Sequence, residues 1–272
     1  MESDEMIDIH SHVLIGVDDG PQTKEAAIEL LNQAVDNGIT DIIATPHHKT
    51  SHFSNPEETV KEKLEELHNI IQENHIQVKV HPGQEIRISG DIIEDLKSGN
   101  SVGMNNSQYV LVELPFNDLP RYTERLFFDI QMQGNIPVIA HPERCKPIVI
   151  SPEKLYNFIE KGALSQVTAS SVSGDLGANL KETSLEMIDS HLAHFVASDA
   201  HNVEARPFAL KEAYDVISTE LGEHVSKKLK KNALHLMNNQ NISVEPPSII
   251  DSHYSMKKKR RFFWIILNMV SI

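Results

Sequence analysis

Asp8-Ile9-His10-Ser11-His12 ends the first apolar run of the chain. Side chains alternate along a strand, so Asp8, His10 and His12 are expected to share one face. Three polar groups on a face that otherwise packs into a core are costly to bury unless something pairs with them, and a divalent cation suits all three. The event returns near the other end, where Phe195-Val-Ala-Ser-Asp199-Ala-His201 sets a carboxylate and an imidazole two apart after another apolar run. A single histidine after an apolar run is more often a hydrogen-bonded core or turn residue. Recurrence separates these from that ordinary case.

Outward from the two ends, short apolar runs bounded by turn residues alternate with amphipathic stretches, the pattern of β/α units that feed a parallel sheet or barrel. Seven strands are predicted, over 6–12, 41–47, 77–86, 109–114, 137–141, 164–169 and 194–198. Helical spacing covers 23–37, 56–74, 121–133, 152–161, 179–190, 206–221 and 223–237. Pro56 and Pro152 fall at first-turn positions after Asn55 and Ser151 as caps, and Gly38, Gly134 and Gly162 stand where helices should end. The intermediate strands add further ligands at or just past their carboxyl ends: His47, Glu85, Glu113 and His141. In a closed (β/α) barrel those ends converge on one face, where the active sites of such barrels sit. Imidazoles and carboxylates in this number suit two or three divalent ions, manganese, iron or zinc, with carboxylates bridging. Asp19, in Val17-Asp-Asp-Gly20, reads equally well as a turn residue or a ligand. His48, His52, His81 and His191 are read as ordinary structural histidines.

The chain has 272 residues with 39 acidic against 25 basic, a net charge of −14. That balance argues against a broad nucleic-acid surface, which must neutralise phosphates. A lone cysteine, Cys145, permits neither a disulfide framework nor a Cys-based zinc site, and a reducing cytoplasm is the natural setting. The acidic start, Met1-Glu-Ser-Asp-Glu5, lacks the features of a signal peptide. One domain is expected over 1–240. A linker with Pro246 and Pro247 then leads to a tail, Lys257–Ile272, whose five cations precede an aromatic and apolar segment too short to span a bilayer. Peripheral contact with an anionic membrane is the expectation for that tail.

The runs Met6-Ile-Asp-Ile-His-Ser-His12, Val17-Asp-Asp-Gly-Pro21, Gly83-Gln-Glu-Ile-Arg-Ile88, Ile139-Ala-His-Pro-Glu-Arg144 and Ala197-Ser-Asp-Ala-His201 closely resemble the polymerase and histidinol phosphatase (PHP) superfamily. The nearer resemblance is to its bacterial manganese-dependent protein tyrosine phosphatases, encoded with capsule and exopolysaccharide genes, and it extends from Met6 to Met237. It implies a distorted TIM-like (β/α)7 barrel. It implies a three-ion cluster, most simply Mn2+, ligated by His10, His12, Glu85, Glu113, His141, Asp199 and His201, with Asp19 and His47 on the third ion. Asp8 becomes a residue that orients a ligand imidazole. The implied substrate is the phosphotyrosine tail of a membrane-associated, autophosphorylating bacterial tyrosine kinase that controls polysaccharide assembly, met by a cytoplasmic enzyme, as a monomer or an oligomer.

The expected chemistry is in-line attack on phosphorus by metal-activated hydroxide. Arg144 and Arg206 bind phosphoryl oxygens, and His201 or Asp19 assists the leaving group. A cysteine phosphatase needs an arginine six positions past its nucleophile, and Ser151 stands there after Cys145. Three rivals remain: a histidinol-phosphate or other small-molecule phosphatase of the same superfamily, a DNA-processing exonuclease that the acidic balance disfavours, and a non-enzymatic metal-binding partner of the kinase.

Overall fold

The computed structural model describes residues 5–250; the tail Lys257–Ile272 lies outside them. Strands form where β-branched and aromatic residues cluster between turns. They are β1 (Met6–Ser11), β2 (Ile39–Ala44), β3 (His47–His48), β4 (Lys79–Pro82), β5 (Glu85–Arg87), β6 (Tyr109–Glu113), β7 (Ile136–Ala140), β8 (Leu164–Thr168) and β9 (Phe195–Ala197). Every pairing is parallel, in one sheet of order β1-β2-β4 and another of order β3-β5-β6-β7-β8-β9. The two meet at β1 and β9 through a bridge between Ser11 and Ala200. There the His12 amide donates to Ala200 O and the Asp199 amide to His10 O, both at 2.8 Å.

Between the strands run α1 (Lys24–Asp36), α2 (Glu57–Glu73), α3 (Ile92–Ser98), α4 (Thr123–Met132), α5 (Lys146–Ile150), α6 (Glu153–Glu160), α7 (Ala169–Ser173), α8 (Ala178–Asp189), α9 (Leu210–Glu220) and α10 (Glu223–Met237). The seven helices expected from periodicity all form, and Gly38, Gly134 and Gly162 take the left-handed conformation their places require. Helices α3, α5 and α7 were not expected. They have 7, 5 and 5 residues, too few turns to show an apolar stripe. Asn55 and Ser151 do not cap through their side chains; Pro56 and Pro152 stand at the N-caps. The Asn55 amide instead donates to Val17 O at 3.0 Å and His47 O at 2.8 Å, fastening the loop that carries His47.

Two predicted strands, 41–47 and 77–86, each break in the middle. Pro46 has no N–H for a ladder, and a Cβ on Gly83 would stand 2.7 Å from Ile43 Cγ2, a close approach only glycine permits. After each break the chain joins the second sheet, where His47 and Glu85 become direct register partners.

The larger apolar cluster lies between strands and helices. A smaller one gathers Ile7, Ile9, Tyr109, Leu111, Val138, Ala140, Phe195 and Ala197, with Ala233 and Leu236 of α10 packed against them. These residues precede the polar site residues on the same strands, so an apolar floor ends where the chemistry begins. Among the described residues no helix is long and apolar enough to cross a membrane. Residues from 240 onward still touch the body: Tyr109 Oη donates to Gln240 O at 2.7 Å and the Ser248 amide to Ser190 O at 2.9 Å.

His194, at the start of the last strand region, is buried, and burial first, then Lys228 and His191, push its pKa down to about 3. Folding therefore takes up the neutral ring, while the unfolded chain protonates near 6.5. Below that pH the unfolded state binds more protons, so stability falls with acid at about 1.4 kcal/mol per pH unit until the folded ring itself titrates. Urea unfolding across pH 4–7 should show this slope reduced by about one proton in His194→Gln; an unchanged slope would contradict the assignment.

Candidate metal centre

Most site residues sit at the carboxyl end of a strand or in the loop that follows, and His47 and Glu85 open the short strands β3 and β5. Glu85 opens β5 and Glu113 closes β6, each on the face its strand turns toward the cluster, while His141 and Asp199 follow β7 and β9 in the left-handed region, at φ of 32° and 55°. Such backbone costs of order 1–3 kcal/mol per residue and persists where the surroundings hold it in place.

Glu85 is the centre. Its carboxylate is wholly buried, with Oε2 at 2.7 Å from His47 Nδ1, 3.5 Å from His12 Nε2 and 3.6 Å from His10 Nε2, and Oε1 at 2.9 Å from His141 Nε2. Asp199 Oδ1 lies 3.4 Å from both His10 and His12, and Asp19 Oδ1 lies 3.1 Å from His201 Nε2 and 3.4 Å from His47 Nε2. Three ligand sets follow: His12, Asp19, His47 and His201; His10, His12 and Glu85; and His47, Glu85 and Glu113. They share His12, His47 and Glu85, which makes one contiguous site with room for more than one ion. His141 and Asp199 flank it through Glu85 and through His10 and His12.

The donor set fits cations on its own geometry. Glu85 Oε2, Glu113 Oε2, Asp199 Oδ1, His47 Nδ1 and His201 Nε2 are all buried without a hydrogen bond. His47 Nδ1 and Glu85 Oε2 approach to 2.7 Å yet are not aligned for one. Each such atom costs roughly 1–3 kcal/mol, more when charged, and five beside one another would be untenable without a common partner.

The ring nitrogens tell the same story. His10 Nδ1 donates to Gln166 Oε1 at 2.9 Å, and the Gln166 amide is held that way round by its own donation to Val167 O at 2.8 Å. His12 Nδ1 donates to Asp18 Oδ2 at 2.7 Å, and His201 Nδ1 to the Asp199 carbonyl at 2.8 Å. With the proton on Nδ1, each Nε2 presents a lone pair to the cluster. Asp18 also accepts from the His47 amide at 3.1 Å and, through Oδ1, from the Gly20 amide at 2.9 Å. A Cβ on Gly20 would fall 2.5 Å from His12 O, so this turn closes only on glycine.

Burial alone would make these imidazoles less basic. At His10 the carboxylates of Glu85 and Asp199 outweigh it, and at His12 Asp18 does so more strongly, so both bind protons more tightly than a free histidine. Against the cost of burial, the same histidines hold Glu85 and Asp199 well below the carboxylate range. Burial and the nearby His12 lower His201 to about 4. Protons and cations thus compete for one negative cavity.

All nine predicted ligands therefore meet in one place. Asp8 does not orient an imidazole. The register of β1 slips between Asp8 and Ser11, and the Asp8 carboxylate takes the Ser198 amide at 2.9 Å together with the Ser198 hydroxyl. It secures the residue before Asp199 instead, and burial raises it to about 6 against those bonds. The imidazole-orienting work falls to Asp18 and Gln166, which sequence reasoning missed. Asp18 was legible as half of an Asp-Asp turn; Gln166 left only the trace of an amide within an apolar strand. Arg144 Nη1 and Arg206 Nη2 both reach Asp199 Oδ2 at 2.7 Å, and Arg206 also approaches Asp19.

Fold and site together define a parallel α/β protein with a candidate His/carboxylate metal centre at its strand ends. Residues 6–238 match the CpsB/CapC family of capsular polysaccharide synthesis, and the chain belongs to it. It is 46% identical over 253 residues to a putative tyrosine-protein phosphatase CapC of Staphylococcus aureus, covering 93% of this chain and 98% of that one. It is 43% identical over 258 residues to the tyrosine-protein phosphatase YwqE of Bacillus subtilis, covering 95% and 99%. A solved structure from work on YwqE and Streptococcus pneumoniae CpsB, described as unique metal-dependent tyrosine phosphatases, superposes with a TM-score of 0.89 at 44% identity, over 90% of this chain and all of that one.

Two substitutions test the orienting residues. Asp18→Asn and Gln166→Leu should each weaken Mn2+ binding by about 10- to 100-fold in calorimetric titration, with unfolding in chelator little changed. Binding at the level of the unsubstituted protein would remove them from this role.

Proposed function

We propose that this chain is a metal-dependent protein tyrosine phosphatase acting on the phosphotyrosine tail of a membrane-associated bacterial tyrosine kinase in capsule or exopolysaccharide synthesis. The observation that carries the reading is the cluster of five buried ligand atoms without hydrogen bonds, on Glu85, Glu113, Asp199, His47 and His201, in a chain whose full-length relatives bear the name tyrosine phosphatase. We read the two sheets as seven staves of one distorted barrel, with β2/β3 and β4/β5 each a broken stave.

His10, His12, Asp19, His47, Glu85, Glu113, His141, Asp199 and His201 would hold two or three divalent ions, Mn2+ foremost. When bound, such ions make water a nucleophile near neutral pH and neutralise phosphoryl charge. The protein's own groups do the rest. Arg144 and Arg206, a quarter to a third exposed over Asp199, keep unused N–H donors for phosphoryl oxygens, which planar guanidinium groups fit. Asp199 splays the two into one bay. Asp19 is held ionised far below the carboxylate range, by His201 foremost among the groups that overcome its burial. His201 is neutral at pH 7 with its one proton committed to the Asp199 carbonyl. Neither has a proton ready to give, which favours their role as ligands over leaving-group acids and suits a phenolate, a better leaving group than an alkoxide. Cys145 is buried, its thiol pushed up by burial and directed at Pro115 O, unsuited to attack as a thiolate.

Chelation should abolish hydrolysis of a phosphotyrosyl peptide and Mn2+ restore it, while Cys145→Ser keeps most of the rate. Faster turnover of histidinol phosphate than of the peptide would move the protein to the small-molecule alternative, and absence of phosphate release with Mn2+ to the non-enzymatic one. The proposed setting is cytoplasmic, with Lys257–Ile272 touching an anionic membrane near the kinase. Full-length protein should then sediment with anionic liposomes and protein ending at Gln240 should not; equal sedimentation would end that idea.

A further inference from the structure

The mouth of the site is an open cavity of about 190 Å³, lined by Asp19, His47, His141, Arg144 and Arg206 and by two phenylalanines, Phe53 and Phe116. Nothing in metal binding calls for either aromatic. Phe53 lies nearly parallel to the His47 ring, at 9° and 6.0 Å between centroids. Phe116 is 39% exposed, its ring 5.5 Å from His141 and covered on one face by the Arg144 guanidinium at 4.9 Å. An exposed ring beside a charged site gives up burial that it would otherwise gain.

The backbone that carries each ring is also tied down before any ligand arrives. The Thr50 hydroxyl accepts from the amides of His52 at 3.2 Å and Phe53 at 2.8 Å, and the Thr50 amide donates to Phe53 O at 3.1 Å. The backbone of Phe116 accepts from the Lys146 amide at 2.8 Å, so its loop is tied to the one that carries Arg144. Loops ordered in advance lose less entropy on binding.

We propose that Phe53 and Phe116 form an aromatic clamp that receives the leaving-group ring of an aryl phosphate and so sets the preference for phosphotyrosine over alkyl phosphoesters. The inference rests on the phosphoesterase reading of the site and adds to it the source of substrate choice. The arginines and the metal centre take the phosphoryl group, which aryl and alkyl esters share. Only the ring distinguishes them, and among the described residues that line this mouth these two are the apolar ones. Stacking and edge contacts with a bound ring are each worth a modest factor in affinity, expressed as discrimination because an alkyl chain cannot replace them.

The test uses the manganese-loaded full chain and compares Phe53→Ala, Phe116→Ala and the corresponding leucine variants with the unsubstituted protein. Calorimetry measures binding of phenylphosphonate and methylphosphonate, and kinetics give KM and kcat for phenyl phosphate and glycerol phosphate. Metal content is measured on every variant. Each alanine should weaken phenylphosphonate binding and raise KM for phenyl phosphate by roughly 3- to 10-fold, with methylphosphonate and glycerol phosphate changed less than about 2-fold and metal content intact. Leucine, which keeps bulk without a π face, should fall between. Equal changes for aryl and alkyl ligands, or none for either, would overturn the clamp. Failure of the unsubstituted protein to hydrolyse any ester would defeat the phosphatase reading instead, and the phosphonate binding ratio would still judge the clamp.

Discussion

A carboxylate with no access to water, Glu85, is surrounded by four imidazoles, and the architecture can be understood as the means of tolerating it. An isolated buried charge of this kind is among the most expensive features a fold can contain. Here it is offset by the imidazoles packed around it, whose nitrogens can share it with a proton or with a cation. That sharing requires the imidazoles to stay aimed at one point whichever partner is there. The rigidity of the strand ends supplies the aim, since a parallel ladder fixes His47 beside Glu85 and Arg87 beside Glu113.

Around this centre lies a buried layer that decides the tautomer and tilt of its rings. Asp18, Gln166 and the Asp199 carbonyl each take one imidazole proton, and Asp8 grips Ser198 so that Asp199 can sit in its strained left-handed turn. Local strain at His141 and Asp199 is compatible with a stable fold because the apolar floor beneath, from Ile9 to Phe195, is fully buried and does not have to move.

Charge is distributed unevenly between the molecule and its mouth. A chain of net charge −14 repels anions at long range, yet the lining of the 190 Å³ cavity contains three arginines, Arg87, Arg144 and Arg206, and no lysine. Each arginine is anchored on a carboxylate of the site, Arg87 on Glu113 and the other two on Asp199. Focused local charge of this sort is felt within a Debye length, about 8 Å at physiological salt, where a phosphoryl group would sit.

The alternation of helix and parallel strand could be read from the chain alone, because apolar period and glycine punctuation are local properties that each segment carries by itself. The candidate ligands were legible for a related reason: imidazole and carboxylate at the ends of apolar runs are out of place unless something binds them, and the anomaly recurs strand after strand. Tertiary structure alone decided what depends on contacts between distant segments. The transfer of His47 and Glu85 to a second sheet arises from such pairing, and the role of Gln166 from the ring of His10 on the first strand. Asp8, His10 and His12 looked alike in sequence, since alternation is all that a single strand can express. A register slip against β2 and the presence of Ser198, 190 residues away, made Asp8 a fastener of the site and left the two histidines to form it.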